Sequence, residues 1–275
     1  MLVSRGLVIG DRAKASHYLQ YIGYYRLSGY LIPFKRQDET YIPGTSFEQI
    51  LDIYLFDKKL RILTFDAIER IEVALRNCIT SVVAKKHGAH WFKNQRLFEN
   101  QRHYEAVYNS IRDVTINAQP NRRDVFIRHY YNTYSSPELP PSWMVFEALS
   151  MGTVSLTLKF LALELRSSIA KEFRIDEKVL VSWIHALVYT RNLCAHHSRL
   201  WNRIFTIKPM AMKRYKATML PTDKFHAQAI AIQVLLKAIS PGTHWQQELQ
   251  KLFAEYPDID IRQMGFHSNW PGFDM

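Results

Sequence analysis

The sequence predicts an all-α protein, and three features of the chain favour that class. From Ser46 to Lys86 no glycine or proline interrupts a pattern of apolar residues at helical spacing. Residues that cap helices stand where such patterns begin, at Asp11, Ser46 and Asp176. Residues 227–239 form a further, strongly apolar helical pattern. Together these features predict a bundle of helices.

The composition favours a polyanionic partner. The 275 residues contain 36 Lys and Arg against 25 Asp and Glu, which gives a net charge of +11 and a pI near 9.6. Long-range attraction of that sign favours nucleic acid first and an anionic membrane surface second. No apolar run approaches the roughly 20 residues of a spanning helix. Residues 1–11 also lack the apolar core of a signal peptide. We therefore expect a cytoplasmic protein without a membrane partner, in which Cys78 and Cys194 are reduced thiols.

Residues 11–35 are predicted to form a helix followed by an aromatic turn, which Gly23 and Gly29 bracket. Two interpretations stay open for Tyr24, Tyr25 and Arg26. They can form a stacking and phosphate-binding surface for RNA. Alternatively, the aromatic rings dock the N-terminal helix onto the core.

The longest predicted helix runs from the Ser46 cap to His87 and Gly88. Its apolar stripe is predicted to consist of Phe56, Leu60, Leu63, Ala67 and Ala74. Glu69, Glu72 and Arg76 gather on the opposite side. Because Glu72 and Arg76 are four residues apart, they would form an exposed ion pair worth a few tenths of a kcal/mol.

Residues 93–128 read as a helical insertion rich in basic and aromatic residues, with polar loops at 117–121 and 134–141. Arg122, Arg123 and Arg128 supply charge for phosphates among aromatic rings for bases, which suits single-stranded nucleic acid. A solvated helical face would look similar. Further on, Ser142 is predicted to cap a new helix, and helices continue to about Phe173. Residues 246–256 are expected to be helical, and residues 257–275 irregular.

A polar segment, residues 190–203, stands out because fourteen residues hold three Arg, two His, two Asn and one Trp. If the helix that begins at Asp176 continues through it, one polar face holds His185, Asn192, His196, Arg199 and Arg203. Arg191 would lie roughly 140° away from His196 on that helix. Either the helix is interrupted between Arg191 and His196, or the two residues meet across a dimer.

The order Arg191-Asn192-Leu193-Cys194-Ala195-His196 resembles the signature motif of HEPN domains, all-α modules found in toxins and defence nucleases. Other segments accompany it, and with it they resemble the Abi family of phage abortive-infection proteins of the AbiD/AbiF type. They are residues 23–30, 56–61, 70–76, 141–152 and 194–202. The resemblance extends over nearly the whole chain. Members usually carry a further segment before the equivalent of residues 5–7, so we expect the N-terminus to be short.

The resemblance implies a metal-independent endoribonuclease that needs no cofactor and pairs two motifs across a homodimer. It assigns catalysis to Arg191 and His196, with Asn192 beside them and His197 as the alternative histidine. It also gives Glu72 an orienting role. Arg76, Arg199 and Arg203 would then join the RNA-binding surface. Some HEPN toxins carry a modified Tyr two residues after the histidine, and Ser198 occupies that position here.

Several alternatives remain at this point. A zinc site from Cys194, His196 and His197 lacks a second ligand pair elsewhere. The polar segment can instead be a buried network that fixes helix packing. The protein can also bind a small regulatory RNA without cutting it, with an RNA or protein antitoxin as partner. We predict three parts: residues 1–50, a HEPN-like core at 51–205 with the insertion at about 88–141, and residues 206–275.

Overall fold

The computed structural model describes residues 2–273, and this part of the chain is built from twelve α-helices, with isolated β-bridges but no strand. The all-α prediction is confirmed. In chain order the helices are α1 (Arg12–Ile22), α2 (Tyr24–Leu31), α3 (Phe47–His87), α4 (Gln101–Val114), α5 (Val125–Thr133), α6 (Ser142–Ala148), α7 (Met151–Phe160), α8 (Leu163–Glu172), α9 (Glu177–Ala195), α10 (Lys216–Met219), α11 (Phe225–Ile239) and α12 (Trp245–Glu255).

Helix α3 is the central element of the fold. Its 41 residues begin after Ser46, whose hydroxyl accepts a hydrogen bond from the backbone N–H of Gln49 at 3.1 Å. It ends at Gly88, where φ is +80°. A helix of this length extends about 60 Å. Helices α2, α6, α8, α9, α11 and α12 all pack on it. The predicted boundaries of this helix are therefore confirmed, and its length allows one core to extend from Leu7 to Phe266.

The aromatic stretch after α1 is a helix, and the prediction of a turn bracketed by two glycines was wrong. Gly23 does separate α1 from α2, with φ at +84°. Gly29 lies inside α2 and takes helical geometry. The buried side chains of α2 are Leu27, Tyr30 and Leu31, and their packing on α3 stabilises this helix.

The insertion and the C-terminal helices pack on different helices of the core. Helix α4 packs on α6 and α7, and α5 packs on α6. Helices α11 and α12 pack on α3. The predicted cap at Ser142 was wrong, because Pro141 precedes the helix and the Ser142 hydroxyl is buried without a partner. The division into three parts remains a prediction.

None of the helices in residues 2–273 combines the length and apolar character needed to cross a membrane. Both cysteines are free. Burial raises the pKa of Cys78 and of Cys194 to about 12, so neither thiol ionises near neutral pH.

Candidate functional site

Helix α9 ends inside the polar segment, in the arrangement known as a Schellman motif. The N–H of Ser198 donates to the carbonyl of Leu193 at 2.8 Å, and the N–H of His197 donates to that of Cys194 at 3.0 Å. His197 has φ at +56°, the left-handed conformation that glycine usually provides at this position. Because no glycine marks the end of α9, the sequence pattern predicted a longer helix than the structure has.

The predicted polar face through residue 203 is therefore wrong. Asn192 and His196 lie at the exposed end of α9, whereas Arg199 and Arg203 lie on the following loop. The Arg199 guanidinium donates to the carbonyl of Gly29 and lies 5.9 Å from the ring centre of Tyr30. Burial lowers its pKa from the usual value. Arg203 is half-buried, and its Nε atom has no hydrogen-bond partner.

A buried carboxylate holds this loop against α3. Asp57 Oδ1 accepts the backbone N–H of Leu200 at 3.0 Å and that of Trp201 at 2.7 Å. Asp57 Oδ2 accepts the Tyr30 hydroxyl at 2.6 Å and the guanidinium of Arg61. Burial raises the pKa of Asp57, while Arg61 and the other donors favour its charged form. This network joins α2, α3 and the loop after α9 at one point.

Two arginines form a reciprocal clamp between α2 and the polar segment. Arg26 donates to the carbonyl of His197 at 3.1 Å, and Arg199 donates to the carbonyl of Gly29. Each guanidinium therefore binds the backbone of the segment that carries the other. The clamp fixes the position of the histidine pair relative to α2.

Two neighbouring cavities open between α3 and the end of α9. The first, called here the His197 cavity, has a volume of about 450 Å³. The second, the Arg191 cavity, has a volume of about 340 Å³ and also contains Glu147. Phe65 and Glu69 line both cavities. Phe65 and Glu69 of α3 therefore lie between the cavity of Arg191 and the cavity of His197.

Arg191 has a guanidinium with few partners. Its Nη1 atom is 3.5 Å from the amide oxygen of Asn192, and its Nε atom is buried without a hydrogen-bond partner. The guanidinium lies over the ring of Phe65 at 5.6 Å. Across residues 2–273 it forms no ion pair, although Glu69 and Glu147 line the same cavity. Its charge is therefore not neutralised by a direct ion pair, and Glu72 is a third carboxylate that lines the cavity.

His196 lines neither of these two cavities and is exposed. The helix is continuous up to this residue, because the N–H of His196 donates to the carbonyl of Asn192 at 3.0 Å. A helix break between Arg191 and His196, one of the two alternatives from the sequence, is therefore excluded. On a regular helix, two positions five residues apart are roughly 140° apart around the axis.

The family assignment follows from a match that includes these residues. The family model of the Abi-like proteins matches residues 17–202, more than half of the chain, and this range contains Asp57 and nearly all of the polar segment. This chain belongs to the Abi-like protein family. Its membership supports a role in abortive infection, a defence against phage. Neither the curated proteins nor the solved structures with which the chain was compared contain a match.

The family model matches a shorter part of this Abi-like chain than the resemblance in the sequence, which extends over nearly all of it. It begins inside α1 and ends at Asn202, so α11 and α12 lie outside it. The insertion, Asp57 and both cavities lie inside it. Of the candidate site residues, only Arg203 lies outside the matched part of the chain.

Glu72 is partly buried and Arg76 is buried, so the prediction of an exposed ion pair was wrong. Arg76 is only 7% exposed and donates both to Glu72 and to the carbonyl of Phe146 in α6. The packing of α6 over α3 buries this pair, which no pattern within α3 could indicate. Both residues line the Arg191 cavity. The Arg76 side chain therefore joins α3 to α6 and also borders the candidate site.

The predicted RNA contacts fall into two groups. Arg122, Arg128 and Tyr25 are exposed and free to contact a ligand. Arg123 is half-buried, donates to the carbonyls of Ala118 and Ile116, and lies 4.3 Å from the ring centre of Tyr131. Arg123 therefore holds the loop between α4 and α5.

Sequence reasoning did not single out Asp57, Phe65 or Glu69 as parts of the site. In the sequence, nothing distinguishes Phe65 and Glu69 from other positions of a long helix. They line the two cavities only because α9 packs beside them. Asp57 carried a signal, since a carboxylate inside an apolar stripe needs partners. Among residues 2–273, no group of three or more His, Cys, Asp or Glu side chains is placed to hold a metal ion.

Proposed function

We propose that this Abi-like protein is an endoribonuclease of the HEPN type, which cleaves RNA without a metal ion during abortive infection. The observation that carries the proposal is Arg191, a guanidinium without an ion pair among the described residues. It lies one helix edge away from the cavity of His197. The net charge of +11 supports a polyanionic substrate. Family membership supports the defence role.

The chemistry uses a nucleophile that RNA itself contains. A neutral histidine takes the proton of the 2′-hydroxyl, and the 2′-oxygen attacks the adjacent phosphorus. The P–O5′ bond breaks, the 5′-oxygen takes a proton from a protonated histidine, and a 2′,3′-cyclic phosphate remains. Arg191 stabilises the charge that develops on the phosphoryl oxygens. We assign the proton transfers to His196 first and to His197 as the alternative.

We further propose that the complete site forms between two copies of the chain. Since α9 is continuous, helical geometry puts Arg191 and His196 of one chain on different faces, which disfavours their convergence on one phosphate. A two-fold dimer would bring Arg191 of one copy towards His196 of the other. The exposed apolar side chains beside the cavities support this face of α3 as the interface: Ile62 is 61% exposed and Val73 is 57% exposed.

A second candidate function is retention of a small regulatory RNA without cleavage, in a toxin-antitoxin arrangement. The incomplete site of the single chain favours it, because a monomer would bind RNA through its basic surface without converging Arg191 and His196. The two functions require the same charge and differ only in product formation.

The test is incubation of labelled RNA with purified protein in the presence of a chelator, with detection of fragments that end in a cyclic phosphate. Arg191→Lys keeps the charge but loses the bidentate fork. His196→Asn removes the titrating group. Both variants should lose cleavage and largely retain RNA binding. Tight binding by the wild type without fragments would transfer the assignment to the second candidate.

Two matched control variants lie outside the shared family region. Arg262→Lys and His244→Asn change the same residue types at exposed positions of the C-terminal part. Both should cleave like the wild type. If His197→Asn abolishes cleavage while His196→Asn does not, the catalytic histidine is His197.

Mixing two inactive variants tests the composite site directly. When Arg191→Lys and His196→Asn proteins exchange subunits, the mixed dimer contains one site with both residues intact. Random exchange should therefore restore roughly a quarter of the wild-type activity. A site contained in one subunit would give no recovery. Light scattering should show a dimer that Ile62→Asp and Val73→Asp weaken, because a charge would enter the apolar interface.

A further inference from the structure

The segment from Arg12 to Arg36, which contains α1 and α2, has an unusual composition. It holds five Lys and Arg residues, five Tyr residues, and no Asp or Glu. Arg12, Lys14 and Arg36 are exposed, and none of them forms an ion pair with another residue between 2 and 273. This part of the surface is therefore positively charged and rich in aromatic rings.

Three of these tyrosines form an exposed set, called here the tyrosine surface: Tyr21, Tyr24 and Tyr25. Tyr25 is 93% exposed and Tyr21 is 73% exposed. The imidazole of His17 lies 5.0 Å from the ring of Tyr21, which adds a further flat side chain. The docking of α2 onto the core uses Leu27, Tyr30 and Leu31 instead. Tyr21 and Tyr25 thus contribute almost nothing to the core, and their rings are free to contact a ligand, whereas Tyr24 is 42% exposed.

The tyrosine surface borders the candidate site. Arg26, the residue after Tyr25, donates to the carbonyl of His197 at 3.1 Å. Three residues further along α2, Gly29 accepts the guanidinium of Arg199. A strand of RNA that places a phosphate near the histidine pair would therefore extend over or beside α2.

We propose that the tyrosine surface stacks unpaired bases of RNA next to the phosphate that is cut, so that the substrate must be single-stranded on that side. The inference rests on the proposed function and names its substrate class. Every base has a flat face that a tyrosine ring can stack on, whereas a duplex hides those faces between base pairs. Arg12, Lys14 and Arg36 supply the charge for the phosphates.

A strand of RNA fits this surface better than a protein does. The segment has no carboxylate of its own that would repel phosphates, and four of its five basic residues form no ion pair within residues 2–273; Lys35 pairs with Glu39, which follows the segment. A protein partner would need an acidic patch to match this charge. Binding of a second copy is unfavourable, because two surfaces of the same sign would meet.

The experiment measures affinity with a variant that binds without cutting, His196→Asn combined with His197→Asn. The probes are a single-stranded RNA without self-complementarity and the same sequence in a duplex. In this background, Tyr21→Ala and Tyr25→Ala should each weaken single-strand binding roughly tenfold and leave duplex binding unchanged. Tyr25→Trp should restore the affinity, since the indole ring also stacks. Leu220→Ala, at an exposed apolar side chain outside the matched family region and outside the insertion, is the control.

The outcomes separate this inference from the proposed function. If the wild type does not cut but Tyr25→Ala loses single-strand affinity, the tyrosine surface stands and the nuclease assignment fails. If the wild type cuts and both alanine variants bind normally, only the inference fails. Equal losses on single strand and duplex, or a change in oligomeric state instead of affinity, would also overturn it. A thermal melt of Tyr25→Ala checks folding, which this exposed residue should not affect.

Discussion

The carboxylate of Asp57 accepts the backbone N–H of Trp201 at 2.7 Å, although 144 residues separate them in the chain. Asp57 is fully buried and also pairs with Arg61. Asp57→Asn should lower the free energy of unfolding by about 3 to 5 kcal/mol, because the charge of Arg61 then lacks its partner. Urea denaturation measures this loss.

Tyr30→Phe provides the comparison for Asp57→Asn. It removes one donor to the same carboxylate, so the free energy of unfolding should fall by about 1 to 2 kcal/mol. A larger loss for Tyr30→Phe than for Asp57→Asn would contradict the view that the carboxylate organises this network.

The left-handed conformation of His197 makes it a position where a substitution should stabilise the protein. Glycine adopts φ near +56° without strain, so His197→Gly should raise the free energy of unfolding by about 1 kcal/mol. His197→Ala should give no such gain, because alanine retains a Cβ atom. Thermal melts of both variants decide the point, and a lower melting temperature for His197→Gly would refute it. If the imidazole contributes to cleavage, His197→Gly will be more stable and less active.

The fold was largely predictable because long helices depend on local signals. The caps at Asp11, Ser46 and Asp176 and the apolar period of α3 lie within a few residues of the helices that they specify. The end of α9 depends instead on a histidine in the conformation of glycine. No composition or spacing indicates that conformation.

The candidate site was only partly predictable, for a different reason. Arg191 and the histidine pair could be selected because they concentrate hydrogen-bonding groups in a short segment. The burial of Arg76 depends on α6, and the role of Phe65 depends on α9. Contacts between residues so distant in sequence leave no periodic signal in either helix.

A buried histidine predicts a pH dependence of stability. Burial and the nearby His267 lower the pKa of His226 from its usual 6.5 to about 4. The folded protein therefore binds this proton less readily than the unfolded chain does. The stabilisation is complete above pH 6.5 and disappears as the pH falls towards 4.

The loss due to His226 should reach roughly 2 kcal/mol by about pH 5. Urea denaturation at about pH 5 and about pH 8 measures it. His226→Gln removes the titrating group, so its stability should change less between the two values. An equal change in wild type and His226→Gln would assign the pH dependence to other groups.

The insertion offers a test of charge that spares the fold. Arg122 and Arg128 are exposed, so replacing both by Ala should weaken RNA binding. The slope of log affinity against log salt should become shallower by roughly 0.7 for each phosphate that the variant no longer neutralises. An unchanged slope would show that RNA does not bind at this face.

Arg123 is the matched comparison within the same segment. Its guanidinium already donates to two backbone carbonyls, so Arg123→Ala should mainly lower the free energy of unfolding, by about 1 to 3 kcal/mol. Urea denaturation together with the salt titration separates the two effects. A variant that is fully stable but has a shallower salt slope would return Arg123 to the RNA surface.

The clamp between α2 and the polar segment uses backbone carbonyls as its acceptors, at His197 and Gly29. Every amino acid offers that carbonyl, so the clamp depends on the identity of Arg26 and Arg199 but not on the side chains that it holds. The histidine position can therefore vary during evolution, or in a saturation library, without releasing the loop. Among variants of equal stability, differences in activity would then report the chemistry of the side chain.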